Sequence, residues 1–135
     1  MDEYSQQVVL FLEALAQCNA EFIALCHRLS HHPEVITAQK QIECWSYQTG
    51  STIEGYVDVE LQNGMALAWC FDLTWDSDQW TIDAQVRLND EQGQITIKQF
   101  VPLQSKTIEQ CIADLTRTLS LLVADAETRD LSNPR

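Results

Sequence analysis

The chain has 135 residues, of which 45% are hydrophobic, and its 20 acidic and 8 basic residues give a formal net charge of −12. This length fits one folded domain, and the hydrophobic fraction exceeds that of a disordered chain. Because the negative charge repels nucleic-acid phosphates and anionic lipid headgroups, we expect neither nucleic acid nor a membrane surface as a partner.

The N-terminus and the cysteines favour a cytoplasmic protein. Residues 1–7 contain no basic residue and no apolar run of the kind that an export signal carries. No later stretch looks apolar over the length that a membrane-spanning helix needs. The cysteines are odd in number and lie mostly among apolar residues, as reduced core thiols do. They are Cys18, Cys26, Cys44, Cys70 and Cys111.

The first predicted element is a long amphipathic helix over about residues 4–29. It should end near Pro33, because proline cannot donate to the helical hydrogen-bond ladder and disfavours helical backbone in the residue before it. Its apolar residues recur at helical spacing. They are Val8, Phe11, Leu12, Leu15, Cys18, Phe22, Leu25, Cys26 and Leu29.

Two histidines near the end of this helix are weak candidates for a metal site. His27 and His31 are one helical turn apart, the spacing at which a helix can offer two imidazoles to one ion. The sequence fixes no third ligand, and basic side chains are favoured at a helix C-terminus by the helix dipole. We therefore predict no metal and no other cofactor.

From Gln41 to Val101 the apolar period changes to two, which predicts an antiparallel sheet. The first strand, residues 42–47, has a register that the sequence does not fix. Four further strands each have one apolar face. Their apolar residues are Ile53, Val57, Val59 and Leu61, then Leu67, Trp69, Phe71, Leu73 and Trp75, then Trp80, Ile82, Ala84, Val86 and Leu88, and finally Ile95 and Ile97.

Turn residues predict the register of three hairpins, because a one-residue slip would move a whole apolar set into water. A bulge is expected near Phe100, where the alternation slips. The loops and the pairs they set are residues 62–64 with Val57 opposite Trp69, residues 76–79 with Trp75 opposite Trp80, and residues 90–93 with Val86 opposite Ile97.

A second amphipathic helix follows Pro102. Thr107 and Gln110 have capping-box spacing, with Ser105 as a competing cap. The apolar residues of the helix are Ile108, Cys111, Ile112, Leu115, Leu119, Leu122, Val123 and Ala126. Residues 128–135 are polar and are predicted to be a frayed tail after a single domain of residues 1–127.

These elements predict an α+β fold, with a four- to five-stranded antiparallel meander sheet and the N- and C-terminal helices on one of its faces. In element order and charge the chain is similar to small acidic secretion chaperones. Those proteins normally insert a helix among the strands, whereas the turn between Trp75 and Trp80 leaves no room for one.

The predicted registers place Glu54, Asp72 and Asp83 in one cross-strand row on the polar face of the sheet, with Asp58 and Glu60 on the same face. Like charges directly opposite each other destabilise a sheet, so such a row suits a partner that neutralises it. A basic protein surface is the first choice, and a divalent cation or acid–base chemistry is the second. A solvated face whose charges prevent sheet association explains the same pattern.

The leading hypothesis is a non-catalytic acidic interaction domain, chaperone-, inhibitor- or immunity-like, that binds a basic partner through this face. The sequence has no nucleophile elbow, paired-cysteine motif or phosphate-binding glycine loop. The alternative is a small-molecule-binding domain or minor enzyme, with a cavity between sheet and helices lined by Trp69, Trp75 and Trp80.

Homodimerisation is also predicted as an option, on two grounds. The strand around residues 42–47 leaves an unpaired edge, and Leu121 lies off the main apolar stripe of the last helix. Trp45 and Tyr47, together with Glu43, belong either to the core or to an exposed patch suited to an interface.

Overall fold

The computed structural model describes residues 2–47, 50–76 and 78–135, and residues 45–47 and 50 by their backbone alone. The elements follow in chain order. They are α1 (Glu3–Ser30), β1 (Val35–Tyr47), β2 (Gly50–Leu61), β3 (Ala66–Asp76), β4 (Gln79–Asp90), β5 (Gly93–Gln99), β6 (Leu103–Ser105) and α2 (Ile108–Thr128).

The strands form one antiparallel sheet in the order β1-β2-β3-β4-β5, which confirms the predicted α+β meander between two helices. Two strands differ from the prediction. β1 begins at Val35 rather than at residue 42. The short strand β6, which the sequence did not indicate, pairs with the start of β4, beside the part of β4 that pairs with β5.

Two of the three predicted hairpin registers are confirmed, with Val57 opposite Trp69 and Trp75 opposite Trp80. The third is correct only near its turn. Val86 lies opposite Lys98 rather than Ile97, because β5 contains one extra residue at this point. The bulge therefore comes before Phe100, where the alternation of the sequence still looks regular.

One face of the sheet forms the core with the two helices. The largest fully buried side chains include Phe22 of α1, Trp69 and Phe71 of β3, and Leu115 of α2. Alternation along the strands sends every second side chain to this face. Both helices contact the sheet and each other, so the opposite sheet face carries neither helix.

The helix starts show why these segments become helical. The Asp2 carboxylate accepts from the backbone N–H of Ser5 at 2.7 Å and caps α1. Thr107 caps α2 by accepting from the N–H of Gln110 at 3.2 Å, as predicted. The side chain of Gln110 donates to Asp114 instead of returning to Thr107, so only half of the capping box forms.

The helix α1 exposes several large apolar side chains to solvent. Its buried residues are Cys18, Phe22, Leu25 and Leu29, all in its second half. Among the described residues α1 is also long and apolar enough to span a membrane by length and composition, a test that a core helix or a signal sequence passes as well. The expectation that no stretch of the chain is apolar over a membrane-spanning length is therefore wrong for α1 by this criterion.

The edge strand β1 carries a lysine on the side that faces α1. Lys40 lies opposite Val57 of β2, and Val57 is a core residue. Its ammonium group donates a hydrogen bond of 2.7 Å to the side-chain oxygen of Asn19. This hydrogen bond stabilises the charge of Lys40 on the core-facing side of the edge strand.

The segment after α2 differs from the predicted frayed tail, because a single apolar side chain anchors it. Leu131 is 1% exposed and belongs to the core. The guanidinium of Arg129 donates to the carbonyl oxygen of Pro134 at 2.7 Å, and Arg135 forms an ion pair with Asp90. The last residues therefore pack back on the domain.

Candidate functional site

Four carboxylates lie in one line across the open face of the sheet. Glu43 of β1 pairs with Glu54 of β2, Glu54 with Asp72 of β3, and Asp72 with Asp83 of β4. We call these four residues the acidic row. The structure brings together the three residues singled out in the sequence and adds Glu43, which could not be placed without the register of β1.

The strand alternation explains why the acidic row faces away from the helices. The neighbours of Asp72 in β3 are Phe71 and Leu73, both of which are buried in the core. Successive side chains of a strand point to opposite faces, so Asp72 points to the open face. Glu54 and Asp83 are partly buried between the residues around them.

The other two predicted site residues share the face but lie away from the row. Asp58 is four residues along β2 from Glu54, which corresponds to about 13 Å at the usual rise of a strand. It pairs with Gln39, whose side-chain amide donates to it at 3.3 Å. Glu60 is two residues beyond Asp58 on the same face of β2, and it is exposed.

The electrostatics of the acidic row are only partly balanced. Burial raises the pKa of Glu54, the carboxylates of Asp72 and Glu43 raise it further, and Arg87 opposes the change. Burial likewise raises the pKa of Asp72, with Arg87 lowering it and Asp83 raising it. The ion pairs of the described residues lie elsewhere, so in this part of the chain no basic side chain forms an ion pair with the row, and Arg87 acts on it only from a greater distance.

The polar groups that form hydrogen bonds in and beside the acidic row are neutral, so they do not cancel its negative charge. The amide of Gln99 donates to Asp83 at 2.5 Å. Tyr56 donates to Gln41 at 2.9 Å in the next line of side chains. The row is therefore a set of carboxylate acceptors held by strands, suited to the ammonium and guanidinium groups of another molecule. The described residues contain no group of three or more metal-ligating side chains arranged to hold an ion.

Replacing Asp72 by asparagine is expected to stabilise the fold at neutral pH. A carboxylate whose pKa is raised by folding lowers stability when it ionises, and this loss is recovered as the pH falls through the folded-state pKa. Asp72→Asn should thus increase the free energy of unfolding at pH 7 by up to about 1 kcal/mol. Urea titrations from pH 7 towards 3.8, the ordinary value for the Asp72 pKa, should show the gain shrinking.

The matching control is Asp130, whose pKa is lowered by hydrogen bonds from Ser132. Asp130→Asn should destabilise the protein at neutral pH, and this loss should shrink as the pH falls. A destabilising Asp72→Asn variant would contradict the argument.

The two candidate metal ligands at the end of α1 contact each other. The rings of His27 and His31 are 4.8 Å apart between centroids and meet edge to face. The Nδ1 atom of His31 lies 2.7 Å from the carbonyl oxygen of His27. The Nδ1 atom of His31 is therefore engaged with a carbonyl group at the end of the helix, where basic side chains are favoured by the helix dipole.

The three tryptophans proposed as a cavity lining are in different environments. Trp69 is fully buried, and its indole N–H donates to Asp125 at 2.9 Å. Trp75 is 39% exposed, and its ring lies 4.8 Å from that of Trp80. Trp80 also packs on Phe11 and lines a groove of about 370 Å³ beside the start of α1. A cavity shared by all three is absent from the described residues, and the small-molecule alternative stays a prediction.

Four buried or partly buried cysteines are poorly suited to nucleophilic chemistry. Burial raises the pKa of Cys18 to about 12 and the pKa of both Cys70 and Cys111 to about 11. Burial also raises the pKa of Cys26. These thiols therefore stay protonated at neutral pH, and the thiolate is the reactive form.

The prediction for Trp45 and Tyr47 concerns side chains outside the described part of the structure. Their backbones belong to β1, where Trp45 pairs with Thr52.

Comparisons of the chain with protein-family models, with curated proteins and with solved structures gave no match.

Proposed function

We propose that the chain is a non-catalytic interaction domain that binds a basic protein partner through the acidic row, as an acidic chaperone, inhibitor or immunity-type protein does. The observation that carries this proposal is the direct pairing of four carboxylates across four neighbouring strands. Glu54 and Asp72 remain in this position although burial and mutual repulsion disfavour their charged forms. Binding to the basic groups of a partner would explain why carboxylates occupy positions where their charged forms are disfavoured.

The spacing of the row favours a helical partner. Neighbouring strands lie about 4.8 Å apart, so the row offers a carboxylate at roughly that interval. Basic residues three or four positions apart on one helix face are about 5–6 Å apart. A helix with lysine or arginine at such positions can therefore lie across the strands and engage several members of the row. The net charge of −12 would speed its approach.

The test combines capture from an extract of the native cell with a defined probe. The probe is a labelled helical peptide with lysine at every third or fourth position, measured by fluorescence anisotropy. The double variant Asp72→Lys/Asp83→Lys should abolish capture and weaken peptide binding by at least about tenfold. It keeps like charges opposite each other, so the pairing of β3 with β4 faces the same repulsion as in the parent.

The matched control is Glu91→Lys/Glu109→Lys, which changes the net charge equally at exposed positions outside the sheet face. Circular dichroism verifies that both double variants are folded. The proposal requires the control to retain most of its binding. Equal losses in both variants would mean that total charge, not the acidic row, governs binding, and unchanged capture by the first variant would exclude the row.

A cytoplasmic location belongs to the same proposal. It rests on the cysteines, which are free thiols, because free thiols are typical of proteins in a reducing compartment.

A further inference from the structure

The helix α1 has a second apolar stripe on the side away from the core. Val9, Leu12 and Ile23 are 40%, 57% and 52% exposed, and Ala16 and Ala20 between them are exposed as well. At 3.6 residues per turn these five residues fall on one side of the helix, opposite Cys18, Phe22, Leu25 and Leu29. We call the five residues the outer stripe.

The outer stripe has the spacing of a helix-packing seam. Its residues are three or four positions apart, the pattern by which helices bury a continuous line of side chains against a partner helix. The helix spans 28 residues, about 42 Å at the usual rise, so a partner can engage it over several turns. Three large apolar side chains, Val9, Leu12 and Ile23, are thus exposed to water in one line, which is typical of a contact surface.

The stripe is complementary to itself when two copies run antiparallel. In a two-fold arrangement centred on Ala16, Val9 of one copy lies opposite Ile23 of the other. Leu12 then lies opposite Ala20, so that a large side chain meets a small one, and the alanines at the centre let the helices approach closely.

The charges of α1 favour the same direction. Asp2 and Glu3 lie at its start, and His27 and Arg28 lie in its last turn. Antiparallel pairing brings the acidic end of one helix to the basic end of the other and opposes the two helix dipoles favourably. Parallel pairing would bring acid to acid. Arg28 is half-exposed and already pairs with Glu127 at 2.8 Å, which leaves room for a further carboxylate.

We propose that two copies of the chain associate through antiparallel α1 helices, with the outer stripe as a symmetric interface. The helices of both copies then lie between the two sheets. The open sheet faces, each with its acidic row, point outward on opposite sides of the dimer. The proposal does not depend on the function of the acidic row.

The first experiment measures the mass in solution by light scattering and sedimentation. The wild-type chain should show twice its mass of 15.4 kDa. Leu12→Glu and Ile23→Glu should each raise the dimer dissociation constant by at least about 100-fold, since each substitution occurs twice in the dimer and a tenfold loss per site multiplies. Val101→Glu is the control, because Val101 is 84% exposed and lies outside α1.

The second experiment tests the direction by disulfide trapping in a chain whose exposed Cys44 is replaced by serine. Ala16→Cys should cross-link to itself. Val9→Cys should not, but a mixture of Val9→Cys and Ile23→Cys chains should cross-link. Self-linking of Val9→Cys would show a parallel pair and overturn the proposed arrangement.

Two further results would overturn the dimer itself. One is a wild-type chain that stays monomeric at its highest soluble concentration. The other is a dimer that persists in Leu12→Glu and Ile23→Glu chains whose circular dichroism is unchanged. Flotation of a monomeric wild-type chain with neutral phosphatidylcholine vesicles would assign the outer stripe to lipid instead.

Discussion

Replacing Asp125 by alanine is expected to destabilise the fold by about 3–5 kcal/mol, the usual loss when one partner of a buried ion pair is removed. The side chain of Asp125 is only 9% exposed. It accepts two hydrogen bonds of 2.8 Å from the guanidinium of Arg129 and one of 2.9 Å from the indole of Trp69. Alanine would leave both donors without this acceptor.

The loss should depend on pH in a defined direction. Burial alone would raise the pKa of Asp125, but hydrogen bonds from Arg129 and Trp69 and the nearby positive charges hold it below its ordinary value of 3.8. A carboxylate with a lowered pKa stabilises the fold above its unfolded-state pKa, and this contribution is lost as the pH falls. Urea unfolding at neutral pH and below 3.8 should therefore show the gap between wild type and variant narrowing in acid.

The control for Asp125 lies two residues further along the same helix. Glu127 also forms an ion pair, with Arg28, but both side chains are 49% exposed. Glu127→Ala should cost less than about 1 kcal/mol, as exposed ion pairs do. Equal effects of the two substitutions would refute the role given to burial at Asp125.

The substitution Gly55→Ala is expected to destabilise the protein by about 1–3 kcal/mol, the range for overpacked cores. Gly55 lies on the core side of β2, directly opposite Phe71. A Cβ atom there would stand 2.4 Å from Cε1 of the Phe71 ring. The ring is 1% exposed and lies 6.0 Å from the ring of Phe22, so it has little room to move.

A double-mutant cycle separates this clash from other effects of alanine. Alanine restricts the unfolded chain more than glycine, which by itself favours folding by about 0.4–1 kcal/mol. In a Phe71→Leu background the clash is relieved, so Gly55→Ala should become neutral or stabilising. Thermal and urea unfolding of the four chains measure the coupling, and strictly additive effects would show that the Phe71 ring is not what excludes a side chain at Gly55.

The sequence predicted the central strands well because turn chemistry and alternation agree there. Gly64, with a φ of +85°, occupies the turn that pairs Val57 with Trp69. β1 carried no such constraint, since its apolar and polar residues alternate poorly, and Glu43 was therefore missing from the predicted row. The extra residue in β5 escaped notice because Ile95 and Ile97 keep the period of two through it.

The two ends of the chain show a different limit of sequence reasoning. The helix pattern of α1 placed Leu12 in one apolar stripe with the buried residues, which is wrong because Leu12 is 57% exposed, and it gave no sign that Val9 and Ile23 remain uncovered. After α2, one leucine in a polar segment was too weak a signal to predict packing. Leu131 nevertheless enters the core, because Arg129 and Arg135 hold the segment on both sides of it.

The inward lysine of β1 disfavours the addition of further strands at this edge of the sheet. A strand at the border of a sheet can template further strands, and natural proteins prevent this by placing a charge on its inner side. Lys40 has this position and is held by Asn19. A continuous ladder of copies would have to bury this ammonium group at every layer, so the molecule disfavours polymerisation along its sheet while its helical surface stays free to pair.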